Sequence, residues 1–213
     1  MARRGVLITF EGVEGSGKST QAERLARRLG ALGVPCLVSR EPGGTEIGEA
    51  IRGILLDPRH RAMHGRTELF LYLAGRNQHV RERILPALAA GKVVILDRFA
   101  DSSAAYQGAG RELGEKLVAR LNKLATAALR PDLTVLVDVP VRVGQGRKES
   151  DNLDRLEQER VEFHERVRDG YLRLARRAPG RFRLVNGALP VDELERLVFG
   201  YVKELLKRKG ILR

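Results

Sequence analysis

The chain has 213 residues, 39 Lys+Arg against 27 Asp+Glu and a formal net charge of +12, which favours one domain, 1–213, with a core of its own. Cys36 is the only cysteine, which excludes a disulfide scaffold and points to a reducing, cytoplasmic setting. No apolar run approaches the ~20 residues of a membrane span, and the first strand starts so near Met1 that no signal peptide is expected.

In chain order, the apolar run 6–10 between Gly5 and Gly12 predicts a buried strand. Ala22, Leu25, Ala26 and Leu29 recur at helical spacing, so a helix is expected over 19–32, ended by Gly33 and Pro35. A second strand is expected at 35–39, a loop at 41–45, and helices at 46–56 and 67–88. Strands at 93–97 and 133–139 flank a helix at 113–129. The charged stretch 142–154 lacks a continuous apolar pattern and reads as a mobile lid. A helix at 156–177, a strand at 182–185 and a helix at 191–208 complete the chain. Such alternation predicts an α/β fold of three layers, a five-stranded parallel sheet with helices on both faces. Ligands gather at the carboxyl ends of such strands, so the loops after Phe10, Ser39 and Asp97 should share one edge.

Gly12-Val13-Glu14-Gly15-Ser16-Gly17-Lys18-Ser19 fits G-x-x-x-x-G-K-[ST] between a predicted strand and a predicted helix. Its glycines let backbone N–H groups cradle phosphates, and the helix N-terminus adds positive charge. Lys18 is expected to reach the β and γ phosphates, and Ser19 to hold Mg²⁺. This predicts a P-loop that binds a nucleoside triphosphate, with Glu14, Gly15, Ser16, Gly17 and Thr20 beside it, but leaves the phosphate acceptor open. Asp97 ends a buried strand on the same edge, where it can order Mg²⁺-bound water or merely cap a loop. Arg98 follows it, placed for a second anion.

Further motifs carry a resemblance. Asp97-Arg98-Phe99 with Ser102-Ser103-Ala104-Ala105-Tyr106-Gln107-Gly108, and Arg40-Glu41-Pro42-Gly43-Gly44-Thr45, resemble the D-R-[FY]-x-x-S-x-x-A-Y-Q-G and R-E-P-G-G-T segments of bacterial thymidylate kinases. Phe10-Glu11-Gly12 and Asp154-Arg155-Leu156-Glu157-Gln158-Glu159 match too, and the likeness runs from about 6 to about 187. The resemblance implies transfer of the ATP γ-phosphoryl to the 5′-phosphate of dTMP. It assigns Arg98 and Arg52 to the acceptor phosphate and gives Glu41 a part in organising phosphate or magnesium. It sets Tyr72 and Arg76, four apart on one helix face, against the thymine. It brings Ser103 and Gln107 to the base, Tyr106 to the deoxyribose and Glu14 to the 3′-hydroxyl. Phe70, two positions from Tyr72, is expected in the core. The cradle has no basic residue at its variable positions, so Arg147 is the candidate arginine finger, with Arg142 and Lys148 as alternatives; Arg155 is expected to pack on adenine. A homodimer through packed helices is implied. His60, His64, His79 and His164 show no metal-ligand spacing, so Mg²⁺ is expected only with the nucleotide. The charge invites a DNA-coupled ATPase, yet no nucleic-acid module or interleaved basic stripe is visible.

Overall fold

The computed structural model describes residues 5–147 and 153–212. Five strands alternate with helices in the expected order. They are β1 (Val6–Glu11), β2 (Cys36–Arg40), β3 (Val93–Asp97), β4 (Leu133–Asp138) and β5 (Phe182–Asn186). All pair in parallel, in the order β2-β3-β1-β4-β5, so β1 sits at the centre and is buried along its whole length. Central parallel strands are covered on both faces, which is why 6–10 reads as one apolar run.

The helices are α1 (Lys18–Ala31), α2 (Glu46–Leu56), α3 (Gly65–His79), α4 (Leu85–Ala89), α5 (Ala100–Ser103), α6 (Glu115–Ala125), α7 (Val141–Gln145), α8 (Val161–Arg177) and α9 (Val191–Arg208). Strand alternation sorts side chains between the two faces. Val6, Ile8 and Phe10 pack with Leu25 and Leu29 of α1 and with Val198 and Val202 of α9. Leu7 points the other way, into a cluster with Val80, Ile84 and Phe99. By the same period Glu11 projects to the α5 and α8 side, not the α1 side.

The structure revises several expected boundaries. The helix expected at 67–88 is interrupted by a π turn, Val80–Ile84, between α3 and α4. Pro86 has no N–H to donate back one turn, and the wider turn takes up that loss. Helix α8 starts at Val161, not 156, because the Asp154 carboxylate accepts from the backbone N–H groups of Leu156 and Glu157 and turns the chain there. A helical segment unseen in the sequence follows Phe99, formed by α5 and a π turn, Ala104–Gly110. The expected lid begins as helix α7; its middle, Lys148 included, lies outside the described residues.

Candidate active site

The P-loop links β1 to α1. Gly12, Gly15 and Gly17 all have positive φ (146°, 67° and 91°), conformations that side chains with a Cβ resist. A Cβ at Gly15 would also collide with the Gly144 carbonyl of α7. Helix α1 therefore opens at Lys18 with its N-terminal N–H groups over the loop. Ser16 is buried, with no partner for its Oγ among the described residues.

Parallel pairing brings the end of β3 beside the end of β1, Phe10 opposite Asp97. There the Ser19 hydroxyl donates to Asp97 Oδ2, while Asp97 Oδ1 is buried without a hydrogen-bond partner among the described residues. A hydroxyl and an orphaned carboxylate oxygen form the hard, oxygen-only donor set that suits Mg²⁺. No cluster of three or more His, Cys, Asp or Glu that could hold a metal occurs among the described residues.

Arg98 has a left-handed backbone (φ 71°), which turns its side chain back over the P-loop. Its Nη1 donates to Gly12 O (2.9 Å) and Tyr171 Oη (3.0 Å), and its Nη2 to Glu14 Oε1 (3.0 Å) and Tyr106 Oη (3.1 Å). Burial alone would raise the pKa of Glu14, but Arg98, His164 and Lys18 outweigh it and hold the carboxyl well below the usual range. His164 Nδ1 lies 3.6 Å from Glu14 Oε2.

On the far side of the cavity the charges are already paired. Arg76 is buried, its Nε on Glu41 Oε2 (2.7 Å), its Nη1 on Ser103 Oγ (2.8 Å) and Asn122 Oδ1 (2.7 Å), and its Nη2 on Phe99 O (3.1 Å). A guanidinium has five N–H donors, so these bonds leave one Nη2 hydrogen for a ligand. Glu41 is buried as well and also meets His79 Nδ1 at 3.2 Å. Glu68, fully buried, meets Arg111 (3.0 Å) and Arg155 (2.7 Å) and accepts from Gln107 Nε2 (2.9 Å). Arg52 donates to Pro42 O, and burial together with Arg40 lowers its pKa. Arg40 pairs with Glu49 at 3.3 Å.

One cavity of about 220 Å³ brings together Glu14, Lys18, Ser19, Glu41, Arg52, Tyr72, Arg76, Asp97, Arg98, Ser103, Tyr106 and Gln107. Thr20 is exposed on α1, outside its lining. Arg147 also stands outside the lining, donating to Gly15 O (3.2 Å) and Gly187 O (3.0 Å). Arg155 is buried, with Nε on Leu55 O (2.8 Å) besides its pair with Glu68. Phe70 is 58% exposed, not core; two residues from Tyr72 on α3, it faces the outside. Sequence reading missed Glu68, Asn122, His164 and Tyr171, whose only signal was a polar residue on an otherwise apolar helix face.

A P-loop fold whose cradle shares one cavity with a second, cation-lined wall defines a nucleotide phosphotransferase. Comparison with known proteins makes this specific. A family model described as thymidylate kinase matches residues 10–198. A thymidylate kinase of Geobacter sulfurreducens is 51% identical over 190 residues, covering 86% of this chain and 89% of that protein. One from Solidesulfovibrio magneticus is 48% identical over 209 residues, covering 94% and 100%. The crystal structure of thymidylate kinase from Ehrlichia chaffeensis superposes with a TM-score of 0.77 at 33% identity, over 94% of this chain and 99% of that one. The chain belongs to the thymidylate kinase family.

Proposed function

We propose that this chain transfers the γ-phosphoryl group of ATP to the 5′-phosphate of dTMP, giving ADP and dTDP. The observation that carries the residue-level reading is that Lys18, Ser19 and Asp97 share one cavity with Arg98, Arg52 and Tyr72. Donor and acceptor are both anions, so the work of the site is to hold them together and offset their repulsion. Lys18 and the P-loop N–H groups hold the β and γ phosphates of ATP. Arg98 and Arg52 hold the acceptor phosphate, and Arg76 and Tyr72 take the base with Ser103 and Gln107. Tyr106, tied to Glu14, fills the space beside the sugar, where a ring obstructs a 2′-hydroxyl. Glu41 acts by fixing Arg76. Ser19 and Asp97 would hold Mg²⁺, which supplies charge neutralisation across the β and γ oxygens. Arg147, whose Nη1 donates to the P-loop carbonyl of Gly15, is the arginine finger for the transferring group.

Two wider readings go with this one. Ile47 and Ile54 of α2, Phe70 of α3, and Leu117 and Leu124 of α6 are exposed, an apolar set that a second copy of the chain would cover. No helix among the described residues is long and apolar enough to cross a membrane, and the unpaired Cys36 fits the cytoplasm. Phosphoryl transfer assayed across dTMP, dUMP, UMP, dCMP and AMP tests the substrate, with dTMP expected to dominate; equal turnover of AMP would overturn it. Sedimentation of the purified protein tests the dimer.

A further inference from the structure

Glu11 ends β1 immediately before the P-loop, yet its carboxylate is fully buried and turned away from the nucleotide cradle. It accepts from Phe99 N (2.8 Å), Ser102 Oγ (2.6 Å) and Tyr171 Oη (2.9 Å). Among the described residues it forms no ion pair of its own, so a buried carboxylate stands against three neutral donors. Both hydroxyls touch Arg98 as well: Arg98 Nη1 donates to Tyr171 Oη at 3.0 Å and to Ser102 Oγ at 3.3 Å. A hydroxyl has one hydrogen and two lone pairs. The two oxygens also lie 2.8 Å apart, so their two hydrogens are shared between Glu11 and that contact, and the remaining lone pairs accept from the guanidinium.

We propose that Glu11 and Tyr171 are positioning residues for Arg98, the ionised Glu11 carboxylate orienting the Tyr171 and Ser102 hydroxyls so that their lone pairs face the guanidinium. The chemistry at the acceptor rests on the reading of Arg98 given above; the positioning relation does not. It gives a physical reason for a costly buried carboxylate beside the P-loop. It also ties α8, at the far end of the chain, to the turn after β3.

The relay has a charge state that can be changed. Burial, then the negative charge of Asp101, push Glu11 up to about 7, against Ser102, Arg98 and the Phe99 N–H, which favour its ionised form. The groups facing it are Asp101 and Ser102 of α5, Arg98 of the preceding turn and Tyr171 of α8; Asp101 is itself paired with Arg181 at 2.6 Å. Once protonated, Glu11 brings a third hydrogen to the contacts among itself, Ser102 and Tyr171, and its negative charge no longer attracts the Arg98 guanidinium. Arg98 loses part of its hold.

Guanidinium ¹⁵N NMR of the ligand-free protein tests this directly, with the Arg98 signal assigned by its loss in Arg98→Lys. Tyr171→Phe should speed rotation of the Arg98 Nη groups about tenfold, the loss of one charge-assisted hydrogen bond. In the unsubstituted protein the same speeding should appear as pH falls through about 7, whereas Glu11→Gln should be fast and flat with pH. Ser102→Ala provides a second, smaller truncation if Tyr171→Phe folds poorly. In kinetics, Tyr171→Phe should raise KM for dTMP and leave KM for ATP unchanged, and add nothing in an Arg98→Ala background. Unaltered Arg98 motion in folded Tyr171→Phe and Glu11→Gln proteins overturns the proposal. So does an equal loss of dTMP affinity with and without Arg98. If Arg98→Ala binds dTMP normally while the NMR effects appear, the positioning relation stands and the acceptor role of Arg98 falls.

Discussion

The two halves of the cavity are built on opposite plans. The donor half is one contiguous turn, Gly12 to Ser19, with Asp97 of β3 beside it; there Ser16 Oγ and Asp97 Oδ1 are buried without hydrogen-bond partners among the described residues. The acceptor half is assembled from α2, α3, α5, α6 and the 104–110 turn; Arg52 donates to Pro42 O, and around the base the charges are paired within the protein, as with Arg76 on Glu41, Ser103, Asn122 and Phe99 O. The difference follows from what each half must recognise. A triphosphate brings its own charge and needs open donors. A nucleobase is neutral and needs rigid geometry, which a satisfied polar network supplies.

That contrast can be broken by substitution. Lys18→Ala, in the open half, should lower turnover by about 10³-fold or more while circular dichroism stays unchanged; near-normal turnover would remove the cradle from the reaction. Arg147→Ala should lower kcat on the order of 10³-fold and leave KM for dTMP nearly intact, because the charge it meets develops in the transition state. Full turnover in that variant places the finger elsewhere. Arg76→Ala, in the prepaired half, should weaken dTMP selectively and also destabilise the fold by about 3–5 kcal/mol, since Glu41 is left buried without its cation; calorimetric melting beside dTMP and ATP titrations separates the two effects.

The smallest expected effect is a pH slope. Glu11 titrates near 7 in the fold against 4.5 ordinarily, so between those values the native state holds the proton that the unfolded chain has lost. Stability contributed by that proton is present below about 4.5 and disappears as pH rises through about 7, a change on the order of 3 kcal/mol. Glu14 has the opposite sign: its pKa is depressed, so its contribution is present at neutral pH and lost only in strong acid. Urea unfolding of Glu11→Gln between pH 5 and pH 8 should show the Glu11 slope gone, even as activity falls; an unchanged slope would show that Glu11 is not its source.

The same contrast explains what could be read in advance. Eight consecutive residues carry the P-loop, and short apolar runs alternating with helical spacing carry the sheet, so both are legible in the sequence. The partners of Glu68, by contrast, come from the 104–110 turn, from Arg111 and from Arg155, and no local spacing announces them. The segment after Phe99 is buried nearly all round in α5 and the π turn, so it shows no apolar face of period 3.6. Phe70 misleads because an apolar residue on a helix suggests the interior, whereas α3 is already packed on Leu69 and Leu73. Arg155 meets a carboxylate, Glu68, that lies 87 residues away in the chain, which no local spacing signals.

The long reach of Glu11 has a consequence for synthesis. Its partners Ser102 and Tyr171 lie 91 and 160 residues downstream. At ribosomal speeds of roughly 5–20 residues per second, β1 waits about 10 s or more for α8 to emerge. During that interval β3 and β4 are already made and can pair with β1, but Glu11 still lacks its Tyr171 donor. A nascent chain therefore has no path to a working catalyst by halves, and a chain truncated before α8 should be a client for chaperones rather than a slow enzyme.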